Sequence, residues 1–324
     1  MFKSTLRYIC ALALGVAAAA FAQDYPNKSV AVVVPFAAGG PTDTLARNLG
    51  VTLTGLLKQQ IIVDNAGGAG GTIGINKVAK AKNDGYTLLL MHIGMSTSPA
   101  LYRKLPYDTL NDFEYIGQVA DVPMTMLGKK ALPPNNFKEL LPYLKSNKDK
   151  LTYANAGLGA ASHLCGLLFM SQNQVDLTTV PYKGMAPAMT DLIGGQVDLM
   201  CDQTTNTSQQ IKAGTVKVYG VTSAQRVPSL KEIPTLAEQG MKGFEVVVWH
   251  GLYAPKGTPK PVIDKLVAAL QAAVQDATFT QRLADLGAVP VPVSKANPEA
   301  LRTHLQAEIK KWDPIIKKAG QYAD

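Results

Sequence analysis

The chain has 324 residues, a formal net charge of +8 and 47% hydrophobic residues. A chain of this length usually forms two domains, because single cores stop growing at about 250–300 residues. Its basic residues form no dense run, and the pairs Lys310-Lys311 and Lys317-Lys318 lie on a C-terminal amphipathic pattern that predicts a solvent-facing helix. A nucleic-acid partner is therefore not expected.

The first 22 residues have the pattern of an export signal. Lys3 and Arg7 precede an apolar run from Ile9 to Ala20, and Ala20-Phe21-Ala22 fits the small-x-small cleavage pattern. The run is shorter than the roughly 20 apolar residues of a membrane-spanning helix. We expect cleavage after Ala22 and a periplasmic product. Removing 22 of 324 residues leaves 302, and the loss of two basic residues reduces the net charge from +8 to +6.

Strand-like and helical patterns alternate in the first part of the mature chain. Ser29–Phe36 is a continuous β-branched run, as in a central parallel strand that is covered on both faces. A glycine-containing loop and a helix at Thr44–Lys58 follow, then strands at Ile61–Asn65 and Tyr86–His92 with a helix between them. This alternation predicts βαβ units and a parallel sheet.

A second α/β series follows. The predicted strands are Met124–Leu127, Leu151–Asn155, Leu177–Tyr182, Val197–Cys201 and Val216–Thr222, and the predicted helices are Ser162–Gln172 and Ala186–Ile193. After a further strand-like run at Phe244–Tyr253, the chain returns to helices at Pro261–Gln275, Ala277–Leu286 and Pro298–Ala319.

This order predicts two α/β lobes joined by crossing strands, with a ligand cleft between the lobes. The predicted division is a signal peptide at 1–22, the first lobe at 23–121, the second lobe at 122–247 and a return to the first lobe at 248–324. The candidate hinges are Ile116–Val122 and Val246–Tyr253. A linear two-domain chain without a return is the alternative.

Two glycine-rich loops are the candidate ligand contacts. Ala37–Asp43 follows the first predicted strand, and Ala156–His163 follows the predicted strand Leu151–Asn155 of the second lobe. Ligands in open parallel sheets bind beyond the carboxyl ends of strands. The free N–H groups and the dipole of a helix start favour an anion, so two such loops predict a site for a small carboxylate. Thr42, Asp43 and Ser162 stand where helix caps are expected.

Patterns of known enzymes are weak. Gly157–Ser162 lacks the third glycine of the dinucleotide fingerprint, and no G-x-S-x-G elbow occurs. His92, His163, His250 and His304 show no metal-ligand spacing. We therefore expect no enzyme activity, no cofactor and no metal. Asp202, at the end of a predicted strand, is expected to border the cleft.

The cysteines leave two possibilities open. After export, Cys165 and Cys201 remain, 36 positions apart. An even count in an oxidising compartment favours a disulfide, whereas two buried thiols are the alternative. The distance between the residues decides between them.

A series of short motifs resembles the Bug/TctC family, the extracytoplasmic receptors of tripartite tricarboxylate transport systems. The motifs occur in order through nearly the whole mature chain: Tyr25-Pro26, Val34–Phe36 with Gly39-Gly40 and Asp43, Asp64-Asn65 before Gly67–Gly74, Asp84–Leu89, Leu105–Asp108, Gly157–Leu164, Pro181–Gly184 with Pro187, Gly194–Asp198, Ile233–Thr235, and Trp249 through Pro255. Each motif is weak alone, and their number and order carry the resemblance.

The resemblance implies a type II periplasmic binding protein fold, a small carboxylate ligand such as a dicarboxylate, an amino acid or an aromatic acid, and delivery to a membrane permease. It implies ligand contacts at Phe36, Ala38, Gly39, Gly40, Thr42, Asp43, Gly94, Ser96, Gly157, Ala160, Ala161, Ser162 and His163. Gly94 and Ser96 resemble a third contacting loop. The chain departs from the family at His92–Pro99, where many members have a histidine and an asparagine before the proline, and at Ala160, where threonine or serine is frequent.

A monomeric transport receptor is thus the predicted function. A receptor for a two-component sensor kinase would share every one of these residues, and an exported enzyme on the same fold is a further alternative. Chemical conversion of a bound compound would show that the protein is an enzyme and not a receptor.

Overall fold

The computed structural model describes residues 25–320 and residue 322. The expected export signal lies outside the described residues. The strands are β1 (Val30–Val34), β2 (Ile61–Asn65), β3 (Thr87–His92), β4 (Phe113–Lys129), β5 (Thr152–Asn155), β6 (Thr178–Pro181), β7 (Leu199–Gln203), β8 (Val216–Val221), β9 (Val247–Pro255) and β10 (Val289–Pro290).

The helices connect these strands and cover the sheets. They are α1 (Pro41–Leu57), α2 (Thr72–Ala79), α3 (Gly94–Leu101), α4 (Phe137–Asn147), α5 (Ala161–Asn173), α6 (Met185–Ile193), α7 (Thr204–Lys212), α8 (Lys260–Ala273), α9 (Ala277–Asp285) and α10 (Pro298–Ala319). Short 3₁₀ helices span Ala69–Gly71, Lys148–Lys150, Pro228–Leu230 and Val293–Lys295.

Two groups of strands share the long strand β4. In the first lobe, β2, β1 and β3 are parallel, and β9 is antiparallel to both β3 and β4. In the second lobe, β6, β5 and β7 are parallel, and β7 and β8 are antiparallel to β4. The first half of β4 pairs with β9 as far as Pro123, and its second half pairs with β7 from Met124. The two lobes are therefore joined by β4, which runs through both.

The strand predictions are largely reproduced because the β-branched runs are buried on both faces. Four of the five residues of β1 are buried, and one hydrophobic cluster extends from Val30 in β1 to Ile316 in α10. Covered strands of this kind read as continuous apolar runs. The sequence prediction of α10, Pro298–Ala319, has the observed bounds.

Other elements were not predicted. Helix α4 begins at Phe137 behind an Asn136 cap whose Oδ1 accepts the N–H of Glu139 at 3.0 Å. Strand β4 is much longer than the predicted Met124–Leu127, because it also includes the expected hinge segment Ile116–Val122. The residues Gly94–Leu101 form α3 instead of the expected loop. The loop was expected from the family resemblance alone, and in the structure Pro99 lies inside this short helix near its end.

The C-terminal helix returns to the first lobe. Helix α10 packs against α3 and β4, and its Glu308 carboxylate accepts hydrogen bonds from the ring nitrogens of Trp249 at 3.2 Å and Trp312 at 2.9 Å. Because Trp249 lies in β9, this carboxylate joins α10 to the sheet of the first lobe, near the point where the chain returns from the second lobe. Among the described residues, no helix combines the length and apolar character needed to cross a membrane.

Candidate functional site

A small cavity lies where the two lobes meet. The first lobe contributes Phe36, Pro41, Thr42 and His92, and the second contributes Met124, Ala156, Ala160, Ala161, Ser162, Met185, Asp202 and Gln203. Its volume is about 10 Å³, which is room for about one water molecule. No lysine or arginine is among these lining residues, so a ligand anion would have to be held by dipoles and hydroxyl groups.

Helix α1 begins at the first-lobe wall of the cavity. Gly40 is its N-cap, Pro41 occupies the first turn, and no side chain caps the helix start. Thr42 and Asp43 are therefore inside the first turn and are not caps, contrary to expectation. The missing side-chain cap leaves the N–H groups of the first turn for another acceptor.

Asp43 holds the loop instead of facing the cavity. Its Oδ2 accepts the N–H of Gly39 and the Nε of Arg47, both at 2.8 Å, and its Oδ1 accepts the Nδ2 of Asn65 at 3.0 Å. Asn65 also donates to the Phe36 carbonyl at 3.1 Å. Although burial favours the neutral acid, these bonds from Arg47, Gly39 and Asn65 lower the pKa of Asp43 below its usual value. Asp43 is thus an ionised brace for the first-lobe loop.

Helix α5 provides the opposing wall. Ala160 is its N-cap and again no side chain caps the start. Ser162 lies one position inside the helix, so the expected capping role was wrong. Its Oγ accepts the N–H of Ala156 at 2.9 Å, which leaves the hydroxyl proton for a ligand. His163 Nδ1 accepts the N–H of Gly159 at 3.4 Å and so supports the same loop.

The carboxyl end of β7 completes the second-lobe wall. Asp202 is fully buried there, and Gln203 is 3% exposed. The Oδ1 of Asp202 accepts the Gln203 N–H at 2.8 Å and its Oδ2 accepts the Nδ2 of Asn206 at 2.6 Å. Burial outweighs both hydrogen bonds and raises the pKa of Asp202 to about 7.

A pair of buried histidines backs the first-lobe wall. His92 stacks on Phe36 with ring centres 4.8 Å apart and contacts the edge of His250. The Nδ1 of His92 accepts the Gly94 N–H at 3.0 Å. Burial lowers the pKa of His92 well below its usual value and that of His250 to about 3. Both rings are therefore neutral at pH 7 and supply no positive charge to the cavity.

The structure brings only part of the predicted contact set to the cavity. Phe36, Thr42, Ala160, Ala161, Ser162 and Asp202 line it. The other members, which are not among its lining residues, are Ala38, Gly39, Gly40, Asp43, Gly94, Ser96, Gly157 and His163. Ser96 lies in α3, where its Oγ donates to the Ile93 carbonyl at 2.6 Å.

Several lining residues were not predicted as contacts: Pro41, His92, Met124, Ala156, Met185 and Gln203. Gln203 could have been found by the rule that selected Asp202, because both stand at the carboxyl end of β7. Nothing in the sequence around Met124 and Met185 predicts that they line a ligand cavity. They become lining residues through the packing of the second lobe.

The lobes are in contact around the cavity. The Ala37 N–H donates to the Lys183 carbonyl at 3.1 Å, and the Thr97 hydroxyl donates to the Gly159 carbonyl at 2.9 Å. The Tyr102 hydroxyl lies 3.1 Å from the Leu158 carbonyl, and Thr205 donates to the Pro41 carbonyl at 3.3 Å. Each bond joins one lobe to the other, so this is a closed conformation.

A disulfide joins Cys165 to Cys201 with their Cα atoms 6.1 Å apart. It ties α5 to β7, the two elements that carry Ser162 and Asp202. The Tyr153 hydroxyl makes a second tie, because it donates to the Ser162 carbonyl at 2.8 Å and accepts the Cys201 N–H at 3.1 Å. The second-lobe wall is thus held as one unit.

Removal of this bridge is expected to destabilise the protein. Loop-closure entropy for a 36-residue separation corresponds to about 3–4 kcal/mol. We expect the double variant Cys165→Ala/Cys201→Ala to lose stability of that order in urea denaturation. Exposed Ser171→Ala, on the same helix, is the control. An unchanged unfolding midpoint in the double variant would show that the bridge does not constrain the unfolded chain.

Comparisons with known proteins agree with this architecture. Residues 45–321 match the model of the TctC family, the tripartite tricarboxylate transporter family receptors. The UPF0065 protein of the TAR-I ttuE-ttuC' intergenic region of Agrobacterium vitis is 48% identical over 301 residues, which cover 93% of this chain and 87% of that protein.

Two solved structures are also similar. The periplasmic binding protein BugD has a TM-score of 0.90 and 55% identity, covering 93% of this chain and 100% of that chain. MatC from Rhodopseudomonas palustris, solved with bound malate, has a TM-score of 0.86 and 39% identity, covering 90% and 100%. These similarities confirm the predicted fold, the two-lobed type II periplasmic binding protein arrangement.

Proposed function

The chain belongs to the TctC family of tripartite tricarboxylate transporter receptors, and from this premise we propose that it captures a small carboxylate in the periplasm and delivers it to a membrane permease of that transporter class. The ligand is bound and released unchanged. Export requires the signal at residues 1–22, with cleavage after Ala22. We propose that the protein acts as a monomer.

The observation that supports carboxylate binding is the pair of helix starts at one cavity. Helices α1 and α5 both begin at its walls, each without a side-chain cap. Their N–H groups and dipoles favour negative charge, and the Ser162 hydroxyl adds a donor. The malate bound to the similar protein MatC is an anion of the size and charge that such a site would hold.

Capture requires the lobes to separate and close again. A space of about 10 Å³ is too small for a carboxylate of several carbons, so the lobes must separate to admit one and then close around it with a larger cavity than in the ligand-free molecule. A ligand that touches both walls would favour the closed state in proportion to its extra affinity for that state. The closed molecule then presents a surface that a permease can distinguish from the open one.

The lobe boundaries of this mechanism are those predicted from the sequence: 23–121, 122–247 and 248–324. The exchange of β4 partners between Pro123 and Met124 supports the first boundary, and the end of β9 pairing at Val247 supports the second. Bending of β4 and β9 near these residues would open the cavity.

The experiment is titration calorimetry with mono-, di- and aromatic carboxylates, on the wild type and on Gly39→Leu/Ser162→Ala. The Gly39 φ is +78°, and a Cβ added there would already touch the Ala186 Cβ of the opposite lobe at 3.8 Å, so the longer side chain of leucine obstructs closure. We expect micromolar or tighter binding by the wild type and at least about a hundredfold loss in the variant.

The matched control is Gly195→Leu/Ser171→Ala. Gly195 has a φ of +76° with open space around it, and Ser171 is exposed. This pair reproduces the backbone strain and the lost hydroxyl away from the cavity. Equal affinity of the site variant and the control would exclude this cavity as the binding site, and a wild type that binds no carboxylate would exclude the function.

A further inference from the structure

The end of β7 places two hydrogen-bond acceptors side by side in the cavity wall. Asp202 and Gln203 both line the cavity, and both are more than nine-tenths buried. A carboxylate site is usually lined by hydrogen-bond donors, and although the Gln203 amide also carries an N–H₂ donor, the acceptor oxygens of Asp202 and Gln203 at this position require an explanation.

The protein does not satisfy these acceptors fully. The Oε1 of Gln203 is buried and has no hydrogen-bond partner. Each oxygen of Asp202 accepts one bond, from the Gln203 N–H and from Asn206, whereas its ionised form can accept about four in all. Buried acceptors in native proteins are nearly always paired, which indicates that a donor outside the protein completes this pair.

The remainder of the cavity has the opposite character. The uncapped starts of α1 and α5 and the Ser162 hydroxyl offer donors. The cavity is therefore divided into a donor side, suited to a carboxylate, and an acceptor side, suited to a hydroxyl or ammonium group. Because Ser162 and Asp202 line the same cavity, a ligand that uses both sides carries its two groups close together.

On the basis of the proposed function, we propose that Asp202 and Gln203 are specificity-determining residues, which select carboxylates that carry a hydroxyl or ammonium donor next to the carboxylate over those that lack one. A ligand without such a group leaves the Gln203 Oε1 unpaired and buried. A ligand with a second carboxylate at this end would set negative charge against Asp202. Sites that hydrogen-bond a ligand group reject the analogue without it more strongly than apolar pockets reject a missing methylene.

Four-carbon dicarboxylates provide a matched ligand set. Succinate, L-malate and L-aspartate share one carbon chain and differ at one position, which carries hydrogen, hydroxyl or ammonium. Propionate, lactate and alanine form the corresponding three-carbon set. Titration calorimetry with both sets on the wild type is expected to show that malate or aspartate binds at least about tenfold more tightly than succinate. If the protein prefers the three-carbon set, lactate or alanine is expected to bind at least about tenfold more tightly than propionate.

Two nearly isosteric variants test whether Asp202 and Gln203 cause the preference for a donor-bearing ligand. Asp202→Asn and Gln203→Met keep the side-chain shapes and remove the charge or the acceptor. We expect each to reduce the preference for the donor-bearing ligand by about tenfold or more while the affinity for the unsubstituted ligand changes little. Gln209→Met, at an exposed position on α7, is the control, and circular dichroism establishes that each variant is folded. Binding of aspartate but not of malate would identify the ligand donor as ammonium. Binding of malate but not of aspartate would identify it as hydroxyl, and either result supports the proposal.

Three outcomes would overturn it. Wild-type protein that binds succinate as tightly as malate and aspartate would refute the selection and leave the proposed function intact. A uniform loss of affinity for all members of a set in Asp202→Asn and Gln203→Met would show a general structural role. Failure of the wild type to bind any member of either set, or any other carboxylate, would refute the function and this inference together.

Discussion

Gly70→Ala is expected to weaken ligand binding about a hundredfold while the lobes themselves remain folded. A Cβ on Gly70 would collide with the backbone oxygen of Leu158 in the opposite lobe and would lie 2.8 Å from the Tyr102 hydroxyl. A backbone oxygen in a tight loop cannot rotate away as the end of a flexible side chain can. A collision that raises the free energy of the closed state by about 3 kcal/mol corresponds to that factor in affinity. Calorimetry with a carboxylate that binds the wild type measures it.

The control separates this collision from backbone strain. Gly70 has a φ of +61°, and Gly214 has a φ of +64° with only the Lys130 Nζ near its Cβ position, at 4.0 Å. Alanine in this left-handed region costs about 1 kcal/mol at either position. Small-angle scattering is expected to show a more open Gly70→Ala molecule and a wild-type-like Gly214→Ala molecule. Equal affinities of the two variants would mean that the contact between Gly70 and Leu158 plays no part in binding.

Asp202→Asn is expected to change the pH dependence of stability. Burial raises the pKa of Asp202 to about 7 in the folded protein, whereas an unfolded aspartate titrates near 4. Between these pH values the native state holds a proton that the unfolded state has released, so the contribution of Asp202 to stability falls as the pH rises. Below about pH 4 both states are protonated, and above about pH 7 the full penalty of the buried charge is present.

The expected size of this difference is about 4 kcal/mol over the whole range from below pH 4 to above pH 7, of which about 3 kcal/mol falls between pH 5 and pH 8. Urea denaturation of the ligand-free protein at pH 5 and pH 8 measures it. The wild type is expected to lose more stability than Asp202→Asn across this interval, and the exposed Asp149→Asn is expected to follow the wild type. Parallel pH profiles of the wild type and Asp202→Asn would show that the carboxyl group is ionised at ordinary cost in the folded protein.

Local sequence determined the alternating α/β elements and the positions of the two glycine loops. The run from Val30 to Val34 reads as a covered parallel strand because its burial on both faces requires apolar, β-branched residues at every position. The sequence indicated that Ala160–Ser162 lie at the ligand cavity, because glycines after a strand allow a helix to begin at the sheet edge. Ordered motifs along the chain were sufficient to indicate the family that the comparisons confirm.

Tertiary structure alone decided which residues share the cavity and what each of them does. Asp43 and Ser162 both looked like helix caps, but Asp43 braces a loop through Arg47 and Asn65, and Ser162 holds the Ala156 N–H. Met124 and Met185 reach the cavity only through the packing of the second lobe. The distance that permits the Cys165–Cys201 bridge, and the approach of Leu158 to Gly70, likewise depend on contacts between segments far apart in the chain. Periodicity and turn chemistry are local properties, whereas these placements arise from how distant elements pack.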